Sequence, residues 1–112
     1  MSKRVYKVNE LIKEEISQIL FKELGPEQGM FTVTAVETTR DLRHATVWLG
    51  YIGNDLEGFF DNLTKKERLI QSVLNKRLVL KYVPKVTFRS DSSGEYAAEL
   101  EEVFKKIKNK NG

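Results

Sequence analysis

The side chains of this chain that could do chemistry are mainly cations, and they are concentrated in its second half. Residues 64–89 hold eight lysines and arginines and one acid, a net charge of +7 over 26 residues, whereas the other 86 residues carry −4. Such a basic region is typical of proteins that bind a polyanion, most often nucleic acid. The alternative interpretation is a solvent-exposed helix face with surplus lysine. The eight cations are Lys65, Lys66, Arg68, Lys76, Arg77, Lys81, Lys85 and Arg89.

The sequence contains few residues that could catalyse a reaction or bind a metal ion. There is no cysteine, which excludes disulfides, thiolate zinc sites, iron–sulfur clusters and thiol nucleophiles. The single histidine, His44, lies in a predicted strand, and with Asp41, the nearest acid in the sequence, it can form at most one local hydrogen bond. No glycine-rich phosphate-binding loop is present. We therefore expect a protein that is not an enzyme and holds neither metal nor cofactor. His44 is expected to be a strand residue that is either on the surface or has its hydrogen bonds satisfied.

Length and patterning predict one domain. The chain has 112 residues, and domains commonly have about 100–150. We expect residues 1–108 to form a single domain and residues 109–112 to be a frayed tail. Apolar runs are far shorter than the ~18 residues needed to cross a bilayer, and the first residues lack the apolar region of a signal peptide. The expectation is a cytoplasmic monomer with no membrane partner.

Hydrophobic spacing predicts the elements that must position these cations. Apolar residues at three- and four-residue spacings predict an amphipathic helix over 3–24, which ends at Gly25-Pro26. Alternating, β-branched residues predict strands over 31–39 and 43–52, joined as an antiparallel hairpin. The core positions assigned to the helix are Val5, Val8, Leu11, Ile12, Ile16, Ile19, Leu20 and Leu24. The second strand is expected to place Ala45, Val47, Leu49 and Tyr51 on one face and His44, Thr46, Trp48 and Ile52 on the other.

Two capping boxes predict a broken helix after the hairpin. Asn54 with Glu57, and Thr64 with Glu67, each place a capping side chain three residues before a glutamate. The second box predicts a kink near residues 63–64 and a longer helix to about residue 79, with Leu69, Ile70, Val73, Leu74 and Leu78 inward. Pro84 ends helical structure, so a third strand over 85–89 and a last helix over 92–108 follow. The predicted class is α+β, a small three-stranded sheet with helices on one face, in the order α-β-β-α-kink-α-β-α.

The second capping box also predicts where a polyanion binds. The first-turn N–H groups of a helix attract anions, whereas Lys65, Lys66 and Arg68 at the same turn oppose the helix dipole. A bound phosphate would explain that unfavourable placement. The cations of residues 76–89 are expected to extend this site as a stripe toward the third strand. Trp48 is assigned either to stacking on an unpaired base or to a core or interface position.

The ordered motifs of the chain resemble those of the ribosome-binding factor A family over nearly its full length. Each motif is weak alone, but their order and spacing on a chain of this length form a specific set. The matching segments are Arg4-Val5 with Ile12, Ile16 and Leu20 behind it, Val33-Thr34-Ala35-Val36-Glu37, Arg40-Asp41-Leu42, Ala45-Thr46-Val47, Ile70-Gln71-Ser72-Val73-Leu74 with Lys76, Leu78 and Leu80, Val83-Pro84-Lys85-Val86-Thr87-Phe88, and Asp91-Ser92.

The resemblance implies a type II KH-like fold, α-β-β-α-kink-α-β, to which this chain adds a C-terminal helix. It also implies a non-enzymatic factor that binds 16S rRNA in precursors of the small (30S) ribosomal subunit. Such a factor supports late maturation, including processing of the 5′ end of the precursor rRNA, above all in the cold. In the family, an Ala-x-Gly kink replaces the GxxG loop with which KH domains clamp nucleic acid. That pattern falls at Lys66-Glu67-Arg68 here, so neither its alanine nor its glycine is present.

Charge and resemblance together predict a set of RNA-binding residues. We expect them to act by phosphate neutralisation and recognition of shape, with little reading of base sequence. The set is Lys3, Arg4, Arg40, Arg43, Lys65, Lys66, Arg68, Lys76, Arg77, Lys81, Lys85 and Arg89. Two alternatives stay open beside the small subunit and its rRNA precursor as partners. One is a KH-like module that binds single-stranded RNA or DNA outside the ribosome, and the other is an adaptor whose basic face meets an acidic protein.

Overall fold

Six elements follow one another in the order predicted for this part of the chain. The computed structural model describes residues 2–25 and 29–91. The elements are α1 (Lys3–Leu24), β1 (Met30–Thr38), β2 (His44–Ile52), α2 (Leu56–Lys65), α3 (Glu67–Arg77) and β3 (Lys85–Ser90). This order confirms the α+β class and agrees with the KH-like topology that the resemblance implies. The helix predicted over 92–108 and the tail 109–112 lie outside the described residues.

The three strands form one mixed sheet in the order β1-β2-β3. β1 and β2 pair as the predicted antiparallel hairpin, with Val36 opposite Val47, and a bulge falls at Thr34. β3 pairs in parallel with β2, with Val86 opposite Ala45. A parallel neighbour requires a long crossover, and α2 and α3 provide it. The sheet therefore places the end of the chain's basic segment beside the middle strand.

The apolar core lies between the helices and one face of the sheet. In β2, Ala45, Val47 and Leu49 are at most 1% exposed, which confirms the predicted alternation. α3 adds Ile70 and Leu74. The buried apolar stripe of α1 consists of Val5, Val8, Ile12, Ile16, Ile19, Leu20 and Leu24. Among the described residues no helix covers the opposite face of the sheet, and none of these helices is long and apolar enough to cross a membrane.

Two predicted core positions are on the surface instead. Leu11 is 44% exposed and Leu69 is 49% exposed. Each directly precedes a buried isoleucine, Ile12 or Ile70, and is therefore turned about 100° away from the buried stripe. Asn9 takes a buried position in α1, where its side-chain oxygen accepts a hydrogen bond from the last amide of β1 at 3.0 Å. The stripe of α1 is thus narrower than predicted and includes one polar residue.

Helix α2 is capped by a different residue from the one predicted. The side chain of Asp55, not Asn54, accepts a hydrogen bond from the amide of Gly58 at 2.9 Å. The first capping box is therefore wrong by one position, and α2 begins one residue later than that box predicts. Phe59 then fixes α2 against the hairpin, since its ring centroid lies 4.6 Å from that of Tyr51. This contact orients α2 and the break that follows it.

Candidate nucleic-acid interface

The break between α2 and α3 falls at Lys66, two residues after the predicted kink. Thr64 does not cap α3, because its hydroxyl donates to the carbonyl oxygen of Phe60 inside α2 at 2.9 Å. α3 begins at Glu67 with no side-chain capping bond. The predicted capped helix start is therefore wrong. The prediction fails because α2 continues to Lys65, so that only Lys66 separates it from α3.

Lys66 is held by the fold itself. Its ammonium donates to the carbonyl oxygen of Glu23, in the last turn of α1, at 2.5 Å, and the side chain is half-buried. The backbone of Lys66 has φ −97° and ψ 2°, a combination that does not require glycine. The position that matches the family's glycine, Arg68, is already inside α3. This kink therefore forms without the alanine and glycine of the Ala-x-Gly pattern.

Lys65 and Arg68 flank the break and are both exposed. Neither forms an ion pair within residues 2–25 and 29–91. Their charges are therefore available to a ligand, whereas the ammonium of Lys66 is already bonded to a backbone oxygen. We call Lys65, Lys66 and Arg68 the kink cluster.

The cations at the end of α3 have different environments. Arg77 Nη1 lies 3.3 Å from Glu15 Oε2 and 3.4 Å from Gln18 Oε1, and both partners belong to α1. Arg77 therefore joins α3 to α1. Lys76, one residue earlier, is exposed.

Lys85 and Arg89 lie on the face of the sheet opposite the helices. In β3 these exposed residues alternate with the buried Val86, and in the parallel ladder Arg89 is paired with Trp48 and Lys85 with His44. The predicted continuous stripe from the helix to the third strand is wrong, because side chains of a strand alternate between the two faces of a sheet. We call this surface the open face.

Trp48 lies at the centre of the open face, on the same side of the sheet as His44. Its side chain is half-buried, and its Nε1 is buried with no hydrogen-bond partner among the described residues. The helix-side core is on the other face, so the core assignment is wrong and stacking or an interface position remains. His44 is exposed on the same face, as predicted. No group of three or more histidine or acidic residues that could hold a metal occurs in the described ranges.

A second group of cations gathers at the end of α1 remote from the kink cluster. α1 has 22 residues, so its ends are about 33 Å apart. Three chain segments form a groove of about 820 Å³ there, which we call the end groove. The four cations that line it are Arg4, Lys7, Arg43 and Lys81.

Two predicted cations, Lys3 and Arg40, are exposed in the same segments but do not line the end groove. The structure adds Lys7 and Tyr82, which were absent from the predicted set. Lys7 was detectable, since it lies about one helical turn after Arg4. Tyr82 gave no local signal, because its position depends on where the α3–β3 connection meets α1.

The connection between β1 and β2 forms one wall of the end groove and has a fixed shape. The carboxylate of Asp41 accepts hydrogen bonds from the Thr39 hydroxyl at 2.6 Å and from the Arg43 amide at 3.1 Å. These bonds, the Thr39 bond foremost, hold the pKa of the Asp41 carboxyl below its ordinary value. Leu42 follows with φ 61°, a left-handed conformation that leucine seldom adopts.

The chain is similar to known proteins over most of its length. The family model described as ribosome-binding factor A matches residues 4–104. A relative from Halothermothrix orenii, named Ribosome-binding factor A, is 36% identical over 108 residues, which cover 94% of this chain and 88% of the relative. These matches confirm the resemblance found in the sequence motifs.

Two solved structures share the fold. The crystal structure of ribosome-binding factor A from Thermus thermophilus has a TM-score of 0.70 and 19% identity, and the match covers 80% of this chain and 98% of that chain. A homology model of the Thermus thermophilus protein, fitted into a cryo-EM map of its 30S complex, has a TM-score of 0.65 and 20% identity, and the match covers 74% of this chain and 90% of that chain. At these identities the likeness concerns the fold alone.

Proposed function

The chain belongs to the ribosome-binding factor A family, and from this premise we propose that it binds the small ribosomal subunit through the rRNA of that particle. The Thermus thermophilus relative, fitted into a 30S complex, supports this partner. The proposal includes a role in late maturation of the subunit and in processing of the 5′ end of its precursor rRNA. The protein would act without catalysis, as a cytoplasmic monomer.

The observation that carries the proposal is the availability of the predicted cations. Within the described residues, only Arg77 of the twelve forms an ion pair. A lysine-rich surface that merely keeps a protein in solution commonly alternates cations with nearby acids, whereas these charges are unneutralised. The exposed members of the set that form no ion pair with another described residue are Lys3, Arg4, Arg40, Arg43, Lys65, Arg68, Lys76, Lys81, Lys85 and Arg89.

The arrangement of these cations favours a large, folded RNA. The kink cluster, the open face and the end groove lie on different sides of the fold, so one short strand in one groove would contact only part of them. A folded rRNA surface can meet several of them at once and be recognised by shape. Each phosphate contact releases counterions, so each should contribute about −0.7 to −0.9 to the slope of the logarithm of the affinity against the logarithm of the salt concentration.

Co-sedimentation with isolated small subunits, large subunits and whole ribosomes across a salt series tests this function. We expect salt-sensitive binding to free small subunits and little binding to large subunits or whole ribosomes. Absence of binding to small subunits at low salt would contradict the proposal. For variants that remove a charge from the predicted set, Lys13→Gln is the matched control, because Lys13 is exposed on α1 and lies outside that set.

A second candidate function is supported by Trp48 on the open face. A half-buried aromatic ring beside Arg89 suits stacking of an unpaired base next to a phosphate contact. This arrangement favours a module that binds single-stranded RNA or DNA outside the ribosome. A short labelled oligonucleotide that binds as tightly as the whole subunit would support this second candidate. An association with a protein that survives ribonuclease would instead indicate an adaptor.

A further inference from the structure

The end groove has an apolar floor beneath its cationic rim. Leu11, Leu42 and Val83 line it, one from each of the three segments that meet there. Leu11 was predicted to be a core residue, but it is 44% exposed and its side chain faces the groove. Apolar side chains left open to solvent in a concave site usually contact a ligand.

Tyr82 adds an exposed aromatic ring to the same groove. The side chain is 75% exposed, and the ammonium of Lys81 lies 5.7 Å from the ring centroid. An ammonium over one face of an aromatic ring leaves the other face open for stacking. Flat aromatic ligands therefore fit this wall.

The wall contributed by the β1–β2 connection is already ordered. The amide of Leu42 donates to the carbonyl oxygen of Thr39 at 2.9 Å, and the carbonyl oxygen of Arg43 accepts from the amide of Lys85 at 2.9 Å. The side-chain bonds of Asp41 hold the same turn. Left-handed, non-glycine residues such as Leu42 cluster at ligand-binding sites, where the surrounding structure maintains them.

We propose that the end groove receives the base of one unpaired RNA nucleotide, which stacks on Tyr82 while the rim cations bind its flanking phosphates. This inference rests on the proposed function and names one contact within it. The exposed Leu11, which has no place in the core, distinguishes the groove from a simple phosphate site. The four cations distinguish it from a groove for an apolar peptide. Its single carboxylate, Asp41, is already bonded to Thr39 and Arg43.

Two RNA hairpins with the same paired stem, one blunt and one with a short unpaired tail of adenines, test the assignment with the full chain. Fluorescence anisotropy at fixed salt measures both affinities. The wild-type protein should prefer the tailed hairpin, and Tyr82→Ala should remove most of that preference, roughly 5- to 100-fold for one stacked base. Tyr6→Ala is the matched control, since Tyr6 is 58% exposed on α1 and does not line the groove.

A second variant, Leu11→Glu, places a carboxylate on the groove floor at an exposed position and should also remove the preference for the tail. Circular dichroism confirms that each variant is folded. Equal affinity of the wild-type protein for both hairpins, or a preference that Tyr82→Ala retains, would overturn the assignment. If Tyr82→Ala binds whole subunits more weakly than wild type but keeps the preference for the tailed hairpin, the contact of Tyr82 is with a protein, and the assignment is also overturned. Failure of the proposed function has a separate readout, the absence of co-sedimentation with small subunits.

Discussion

Lys66 Nζ and the carbonyl oxygen of Glu23 lie 2.5 Å apart and join the kink between α2 and α3 to the last turn of α1. The last carbonyl groups of a helix lack partners within the helix, and a lysine can satisfy one of them. One residue of the predicted RNA site therefore has a structural role. The charges of the kink cluster that remain for RNA are those of Lys65 and Arg68.

Replacing Lys66 should destabilise the protein, whereas replacing its neighbour should not. Lys66→Ala removes the bond to Glu23 from a half-buried position, and we expect a loss of about 1 kcal/mol in the free energy of unfolding. Lys65→Ala, at an exposed position, should change it by less than ~0.5 kcal/mol. Urea unfolding at equilibrium measures both values. Equal stability of the two variants would contradict the structural role of Lys66.

Lys65→Gln combined with Arg68→Gln should weaken binding to the small subunit and reduce its salt dependence. Each lost phosphate contact lowers the slope of log K against log salt by about 0.7–0.9, so the pair should lower it by about 1.4–1.8. The slope is measured by co-sedimentation in a salt series, with Lys13→Gln as the control. A slope equal to that of wild type would remove both residues from the interface.

The parts of the fold that follow local periodicity were predictable from the sequence. The stripe of α1, the hairpin and the faces of β2 all depend on spacings of three to four or two residues. That alternation grouped Trp48 with His44 and Thr46, but it did not tell which side of the sheet they occupy. Details that depend on neighbouring segments were wrong: Leu11 is on the surface, Asn9 takes a buried position in α1, and Asp55 caps α2 where Asn54 was expected.

The candidate site was harder to predict, because contacts between distant segments determine it. The break at Lys66 depends on a carbonyl 43 residues earlier. The basic segment is divided between two sides of the fold because β3 pairs in parallel with β2 and turns Lys85 and Arg89 to the open face. The end groove requires three segments to meet, so sequence spacing gave no indication of Tyr82.

The hydrogen bonds that order the β1–β2 connection should depend on pH through the ionisation of the Asp41 carboxyl. Hydrogen bonds from Thr39 and Arg43 lower its pKa below the ordinary value of 3.8. Stabilisation from a carboxylate with a lowered pKa is complete above the pKa of the unfolded chain and is lost as pH falls through the lower folded value. The NMR signal of the Arg43 amide should therefore shift in acid with a midpoint below 3.8. Asp41→Asn should abolish this shift, whereas a midpoint above 3.8 would contradict the hydrogen-bonded geometry.

At position 42 a glycine variant should be more stable than an alanine variant, which is the reverse of the usual order. Its φ of 61° is a conformation that glycine adopts freely and alanine only with strain. Both Leu42→Ala and Leu42→Gly remove the side chain that packs against the core, so both should be less stable than wild type. The glycine variant should nevertheless be more stable than the alanine variant by about 1 kcal/mol, because only alanine retains the backbone strain. Urea unfolding of the two variants measures the difference, and a more stable alanine variant would show that Leu42 is not held in the left-handed region.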